Sequence, residues 1–306
     1  MRPVRALLVY LAAVFIGGAL LAPGLYWSVQ WLAEDWPTLQ KLAGNPFHRF
    51  VNRSLLGVAL VGLWPLLRSL QIKSWNDLGL AHPGRHWRQL IAALGLGFGS
   101  LATVAGVTLA SGARHFDAEI SALRLAEKLG AAALSAGVVA VLEEVLFRAA
   151  LFGAMRKAWG WQKAMCVSST IYALVHFFHR PEPPAEIHWS TGFVTLAQML
   201  AGFAEARQLF PGFLNLTLVG MLLALAFQRA GNLYFSVGLH AGWIFWLKSY
   251  GLLTRELPGV ALWVWGSGRL IDGWLAFGIL VLCWPIVMRW TGPAEPSHCE
   301  SGGSGG

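Results

Sequence analysis

Two adjacent carboxylates, Glu143 and Glu144, follow an uncharged run of 14 residues from Leu129 to Leu142, and Arg148 comes four positions after the second. An ionised side chain near the middle of a spanning helix costs about 2.5 to 3.5 kcal/mol to insert, so such groups face a bundle interior or a water-filled cavity. Glu144 and Arg148 are one α-helical turn apart and can pair along one face. Glu143 points about 100° away around the helix and has no such local partner. A carboxylate placed there can act first as a base and then as an acid, which makes Glu143 the candidate base. The plainer alternative is that both acids belong to a salt-bridged cluster that locks helices together.

Two histidines weigh against the plainer alternative. Tyr172 and His176 are four residues apart within an apolar run, on one helical face. His240 lies in another run, in the context Ser236-Val-Gly238-Leu-His240-Ala-Gly242-Trp243, where Gly238 and Gly242 permit close helix approach. One acid and two imidazoles can orient and deprotonate a water, return the proton to a leaving amine and donate to an oxyanion. That is peptide hydrolysis without a covalent intermediate. Zinc is the alternative use of the same ligand types, although no His-Glu-x-x-His signature is present and no Cys joins the set.

Other nucleophiles fare worse. Ser135, Ser168, Ser169 and Ser236 sit in apolar segments, where a hydroxyl commonly bonds its own helix, and none lies in a Gly-x-Ser-x-Gly turn. Cys166 and Cys283 read as small apolar side chains, and with Cys299 they make an odd count that suits no disulfide framework. His179 beside Arg180 reads as interfacial. Asn215 and Thr217 spell a glycosylation sequon by chance, inside an apolar run.

These residues need apolar helices to position them, and the composition supplies them. Of 306 residues 56% are hydrophobic and 12% charged, against roughly 25% charged in a soluble domain; the mean hydropathy is +0.55. Sixteen Trp and 35 Gly suit membrane interfaces and spanning helices. Apolar runs fall near 6–31, 51–70, 88–110, 129–150, 162–178, 190–203, 212–229, 233–250 and 270–290. The run 190–203 is short and sits among Glu182, Glu186, Glu205 and Arg207, so it reads as interfacial or re-entrant. The expected fold is therefore all-α, a polytopic transmembrane bundle of about eight spans. The first run follows Arg2 and Arg5 but is long for a signal peptide, and it is read as a retained helix.

Residues 1–295 form one expected membrane domain, with connectors at 34–50 and 179–190 broken by Pro37, Pro46, Pro181, Pro183 and Pro184. The tail 301–306 reads as a flexible linker or expression scar. The net charge of +8 is dispersed with no basic tract, which fits anionic lipid and argues against nucleic acid as a partner. The positive residues divide evenly between the two sides, so charge does not orient the chain.

Taken in order, Glu143-Glu144-x-x-x-Arg148, Tyr172-x-x-x-His176 and His240 in its Gly-Leu-His-Ala-Gly-Trp setting resemble the CPBP intramembrane proteases. That family takes its name from CAAX prenyl proteases and bacteriocin-processing enzymes and is also called Abi. The resemblance spans roughly 128–250. It implies an eight-helix fold, a cavity opening to the membrane and a glutamate-activated water. Glu143 would be the catalytic base, His176 would help hold the water and His240 would stabilise the oxyanion; Glu144, Arg148 and Tyr172 would support them. No cofactor is implied. The partners would be membrane lipid and a protein or peptide substrate, with a C-terminal sorting signal one form of it, in a bacterial inner membrane.

The chain departs from the family pattern twice. Tyr172 stands where Phe is usual, which adds a hydroxyl. Ile244 stands where the third motif usually has Asn, one turn after its His, and loss of such an oxyanion donor costs about 100-fold to 1000-fold in rate. Asn215, Asn232 and Tyr172 are the candidates to replace it. Two other classes compete: a non-proteolytic membrane scaffold or bacteriocin-immunity protein, and a transporter using Glu143 as a proton site, for which no inverted repeat or paired broken helices are visible.

Overall fold

The computed structural model describes residues 2–117, 120–177, 181–201 and 210–292. His179, Arg180, Glu205, Arg207, Cys299 and the 301–306 tail lie outside them. Among the described residues the regular elements are helices apart from one short ribbon. In chain order come α1 (Arg2–Asp35), α2 (Pro37–Ala43), α3 (Phe47–Ser69), α4 (Pro83–Ala110), β1 (Arg114–Phe116), α5 (Ala122–Glu144), a π-helical segment (Val145–Phe152), α6 (Gly153–Trp159) and α7 (Trp161–Val175). They are followed by α8 (Thr191–Ala201), α9 (Gly212–Ala230), α10 (Tyr234–Leu253), β2 (Thr254–Glu256), α11 (Leu262–Trp265) and α12 (Trp274–Trp290).

Every apolar run of the sequence is a helix, and the chain is an all-α polytopic membrane protein. Among the described residues five helices are long and apolar enough to cross a membrane: Pro3–Asp35, Phe47–Ser69, Pro83–Ala110, Ala122–Trp159 and Gly212–Ala230. Of the other three expected spans, α10, with 20 residues, is long enough but less apolar, and the remaining two are short. Helices α7 and α12, of 15 and 17 residues, rise only about 22 to 26 Å, short of a hydrocarbon core of about 30 Å. Gly160, at φ 80°, turns the chain between α6 and α7 and so fixes where α7 begins. Helix α8, with 11 residues, is too short to span, as its flanking acids suggested.

The chain divides into two compact units that interleave in sequence: Met1–Asp77 with Val145–Gly220, and Leu78–Glu144 with Met221–Gly306. In the first, α1 packs along α3 and against α8. Its core gathers Ala19 and Ala22 of α1, Phe47, Phe50 and Val51 of α3 and Met199 of α8. Gly18 is needed there, since a Cβ on it would sit 2.6 Å from a Leu55 methyl carbon.

In the second unit α10 is the centre, packed on α4 and α5, with α12 against α4. The contact with α4 depends on glycines from both helices. A Cβ on Gly97 would strike the Leu239 carbonyl, one on Gly238 the Leu90 carbonyl, and one on Gly242 would lie 2.5 Å from the Phe98 nitrogen. The approach expected from Gly238 and Gly242 is therefore made, and its partner is α4. Beside it the Trp243 indole donates to Ser100 Oγ at 2.9 Å, and that hydroxyl donates to the Gly97 carbonyl at 2.9 Å.

Past this contact, β1 and β2 pair antiparallel, with Arg114 opposite Glu256. The buried Arg114 donates from Nε to Thr254 Oγ1 at 2.9 Å, from one terminal nitrogen to the Thr254 carbonyl at 3.0 Å and from the other to Glu256 at 2.7 Å. Its guanidinium also lies 5.1 Å from the Tyr250 ring centre. The ribbon thus ties the chain leaving α10 to the chain leaving α4.

Gly238→Leu should lower the melting temperature of the detergent-solubilised protein, because wedging methylenes between packed backbones costs about 1–3 kcal/mol. Gly95→Leu, one α4 position with nothing within 4 Å of its Cβ, should leave that temperature unchanged.

Candidate active site

Helix α5 ends on the two acids, and α10 carries His240 past them. The imidazole meets both: Nδ1 is 2.9 Å from Glu144 Oε1, and Nε2 is 3.7 Å from Glu143 Oε2. Two carboxylates about 100° apart on one helix are thus reached by the two nitrogens of one ring. Their surroundings differ. The Glu144 side chain is 0% exposed and His240 4%, whereas Glu143 is 26% exposed.

A carboxylate only accepts hydrogen bonds, so the 2.9 Å contact places a proton on His240 Nδ1, which donates to Glu144. The separation on the Nε2 side is longer than a direct hydrogen bond. An oxygen atom set to one side could be within about 2.8 Å of both Nε2 and the Glu143 carboxylate.

Arg148, Tyr172 and His176 form a second cluster, in the other unit. Arg148, 2% exposed, lies in the π-helical segment, with its guanidinium 4.7 Å from the Tyr172 ring centre and 5.9 Å from that of Phe147. Phe147 meets Tyr172 edge to face at 5.1 Å, and Tyr172 lies 4.4 Å from the His176 ring. The π winding starts at Val145, directly after Glu144. Glu144 meets His240, on another helix.

His176 was expected inside a helix and instead caps its end. The last turn of α7 tightens, with the His176 amide donating to the Ala173 carbonyl and the Phe177 amide to the Leu174 carbonyl, both at 3.0 Å. The Tyr172 carbonyl thereby loses the amide that an α-helix would offer it. His176 Nδ1 donates to this carbonyl at 2.7 Å. Both histidines therefore have Nδ1 committed to a fixed acceptor.

Among the other candidates, Ser168 and Ser236 donate to carbonyls of their own segments, Met165 at 3.4 Å and Leu233 at 3.1 Å, as expected of structural hydroxyls. Asn232 caps the start of α10: its side-chain oxygen accepts from the Tyr234 amide at 3.0 Å, and its nitrogen donates to the Ala230 carbonyl at 2.9 Å and to Gln89 at 3.2 Å. That occupies Asn232 with turn geometry. Asn215 is fully buried in α9, which closes the sequon to modification. Ile244 is buried one turn beyond His240. Among the described residues no three His, Cys, Asp or Glu side chains are grouped as metal ligands.

Sequence reasoning missed Ser100, Gly97 and the π-helical segment. A signal existed for Gly97, which stands in a Gly95-Leu-Gly97-Phe-Gly99 series within an apolar run. The π winding has no comparable sequence mark.

Helices and centre together define a polytopic membrane protein with a buried carboxylate–imidazole–carboxylate group. Residues 126–246 match the family model described as type II CAAX prenyl endopeptidase Rce1-like, a region that holds all six residues singled out above. This region is similar to the Rce1-like endopeptidases, in agreement with the CPBP resemblance. No curated protein and no solved structure matches the chain.

The unequal burial of the two acids has a measurable consequence. Glu144→Ala leaves the His240 Nδ1–H without its acceptor in a closed environment, a loss of about 1–3 kcal/mol. Glu143→Ala, at a partly exposed position, should cost less. Thermal unfolding in detergent compares the two, and equal losses would remove the distinction.

Proposed function

We propose that the protein is an intramembrane endopeptidase that hydrolyses a membrane-proximal peptide bond of a protein or peptide substrate through a water activated by Glu143. One observation carries this reading: His240 is anchored at Nδ1 by the fully buried Glu144 and lies at Nε2 beside the more exposed Glu143.

In this mechanism Glu143 accepts a proton from the water as the oxygen attacks the scissile carbonyl carbon. The charge that develops on the carbonyl oxygen is stabilised by His240, which in its protonated form donates from Nε2 while Nδ1–H donates to Glu144. A buried carboxylate behind an imidazole fixes the direction of the ring, as the Asp does in Ser-His-Asp triads. Glu143 then passes its proton to the leaving amine, and the acid and amine products account for every atom of the water. The family resemblance assigns His176 a part in holding a water. Arg148 and Tyr172 support it through their contacts with each other and with the His176 ring. A substrate cut close to the membrane suits C-terminal signal processing or protein sorting in a bacterial inner membrane.

A second reading rests on Ile244. An apolar side chain at the usual Asn position removes one oxyanion donor, which favours a non-proteolytic scaffold or bacteriocin-immunity protein that keeps the polar group for packing.

Comparison of membrane peptides from cells carrying the wild type and Glu143→Gln separates these readings and identifies the substrate. Cleavage should fall by about 10²- to 10⁴-fold in Glu143→Gln and by about 10²- to 10³-fold in His240→Ala, with normal insertion of both. Full cleavage by the Glu143→Gln protein would refute the glutamate mechanism. A chelator should leave the rate unchanged; abolition of cleavage by the chelator, restored by zinc, would put a metal at the centre instead. Ile244→Asn should raise the rate if the missing donor limits it, at some loss of stability from a buried amide.

A further inference from the structure

Away from the candidate active site, the first unit carries a half-open groove of about 450 Å³ between α1 and α3, lined by Arg5, Val9 and Ala13 on one side and Gly62, Pro65 and Ser69 on the other. Its volume falls within the roughly 300 to 1,000 Å³ of small-molecule sites. Gly18 meets Leu55, and Tyr10 meets Gly62 and donates to the Ala59 carbonyl at 3.0 Å. The two helices therefore run antiparallel, which brings Arg5 level with Ser69. From Arg5 to Ala13 the groove follows α1 for about 12 Å.

Two residues make it concave. Gly62 has no side chain, and a Cβ there would lie 3.1 Å from the Tyr10 ring. Pro65 sits inside α3, where it contributes a compact ring. The walls are otherwise apolar, and both polar side chains other than Tyr10, those of Arg5 and Ser69, lie at one end. No acid lines the groove. On α3, Arg68 neighbours Ser69 and holds its guanidinium 4.4 Å from the Trp64 ring centre, in the arrangement of an interfacial Trp with a basic partner.

We infer that this groove binds an anionic phospholipid, with one acyl chain lying along Val9, Ala13 and Pro65 and the phosphate at Arg5. A hydrocarbon chain matches the depth and lining, and a negative headgroup matches the cationic mouth. Basic side chains at a membrane surface attract anionic lipid by this charge complementarity. A zwitterionic lipid gains the apolar contacts without the net attraction, so the groove selects by headgroup charge. Tyr10 also lines an inner apolar cavity of about 280 Å³ that reaches Phe147 and Val175, so its ring forms part of the wall shared by groove and cavity.

The test is lipid retention by the full chain in nanodiscs holding equal parts of phosphatidylglycerol and phosphatidylcholine, read by gentle release into a mass spectrometer. The wild type should keep phosphatidylglycerol in preference to phosphatidylcholine. Arg5→Gln should reduce that preference about fivefold, the effect of one basic side chain at a membrane surface, and Arg5→Lys should retain it. Ala13→Phe, which fills the deep end, should lower retention of both lipids. Matched melting temperatures keep the variants comparable. Equal retention of the two lipids by the wild type, or an unchanged preference in Arg5→Gln, overturns the inference and leaves only annular lipid. A disulfide formed between two copies carrying Ala13→Cys would overturn it in favour of self-association.

Discussion

An imidazole held between two acids inside an apolar helix bundle requires that α10 pass α5 within hydrogen-bond reach. The 2.9 Å contact from His240 to Glu144 sets that separation. Much of the second unit serves it. Glycines let α4 and α10 touch backbone to backbone, and Gly238 and Gly242 flank His240 by two residues on either side. The indole of Trp243 bonds Ser100 three residues after His240, which resists rotation of α10 about its axis. The ribbon built on Arg114 ties the chain beyond the far end of the same helix. Rotation of α10 by one residue, about 100°, would carry the imidazole away from both carboxylates.

Helix ends and changes of winding do the fine positioning. The α winding ends at Glu144, and a wider π winding begins at the next residue and runs through Arg148. Such segments are rare and tend to occur at functional positions. At α7 the change is the opposite, a tightening that releases the Tyr172 carbonyl to His176 Nδ1. Each histidine has its Nδ1 proton placed, one by a carboxylate and one by a carbonyl. Two different local devices thus fix the two rings at the same nitrogen.

Much of this was legible in the sequence because membrane burial makes polar residues expensive. The helices could be read from apolar runs, and Glu143, Glu144, His176 and His240 stood out as groups that lipid does not tolerate. What could not be read is which groups meet across helices. Spacing along one helix did not reveal that Glu144 meets His240, 96 residues away. That pairing depends on the register between α5 and α10, which no local pattern encodes. Helix lengths were less legible than helix positions. Within the run 162–178 the helix ends at Val175, where the His176 side chain takes the Tyr172 carbonyl.

Ile244 bears on why the polar trio is kept at all. A buried ion pair is a poor device for holding helices together, since apolar residues of similar volume commonly stabilise as well or better. A scaffold under no chemical demand has little use for Glu143, which stays partly exposed and adds less to packing than an apolar residue would. The trio makes sense if the imidazole must carry charge. In the proposed mechanism, with Ile244 where the resembling family has Asn, more of the oxyanion's stabilisation would fall on His240, and Glu144 behind Nδ1 would supply the opposing charge from complete burial, where its field is least screened. Under that proposal the apolar residue at 244 and the depth of the second glutamate belong to one electrostatic arrangement.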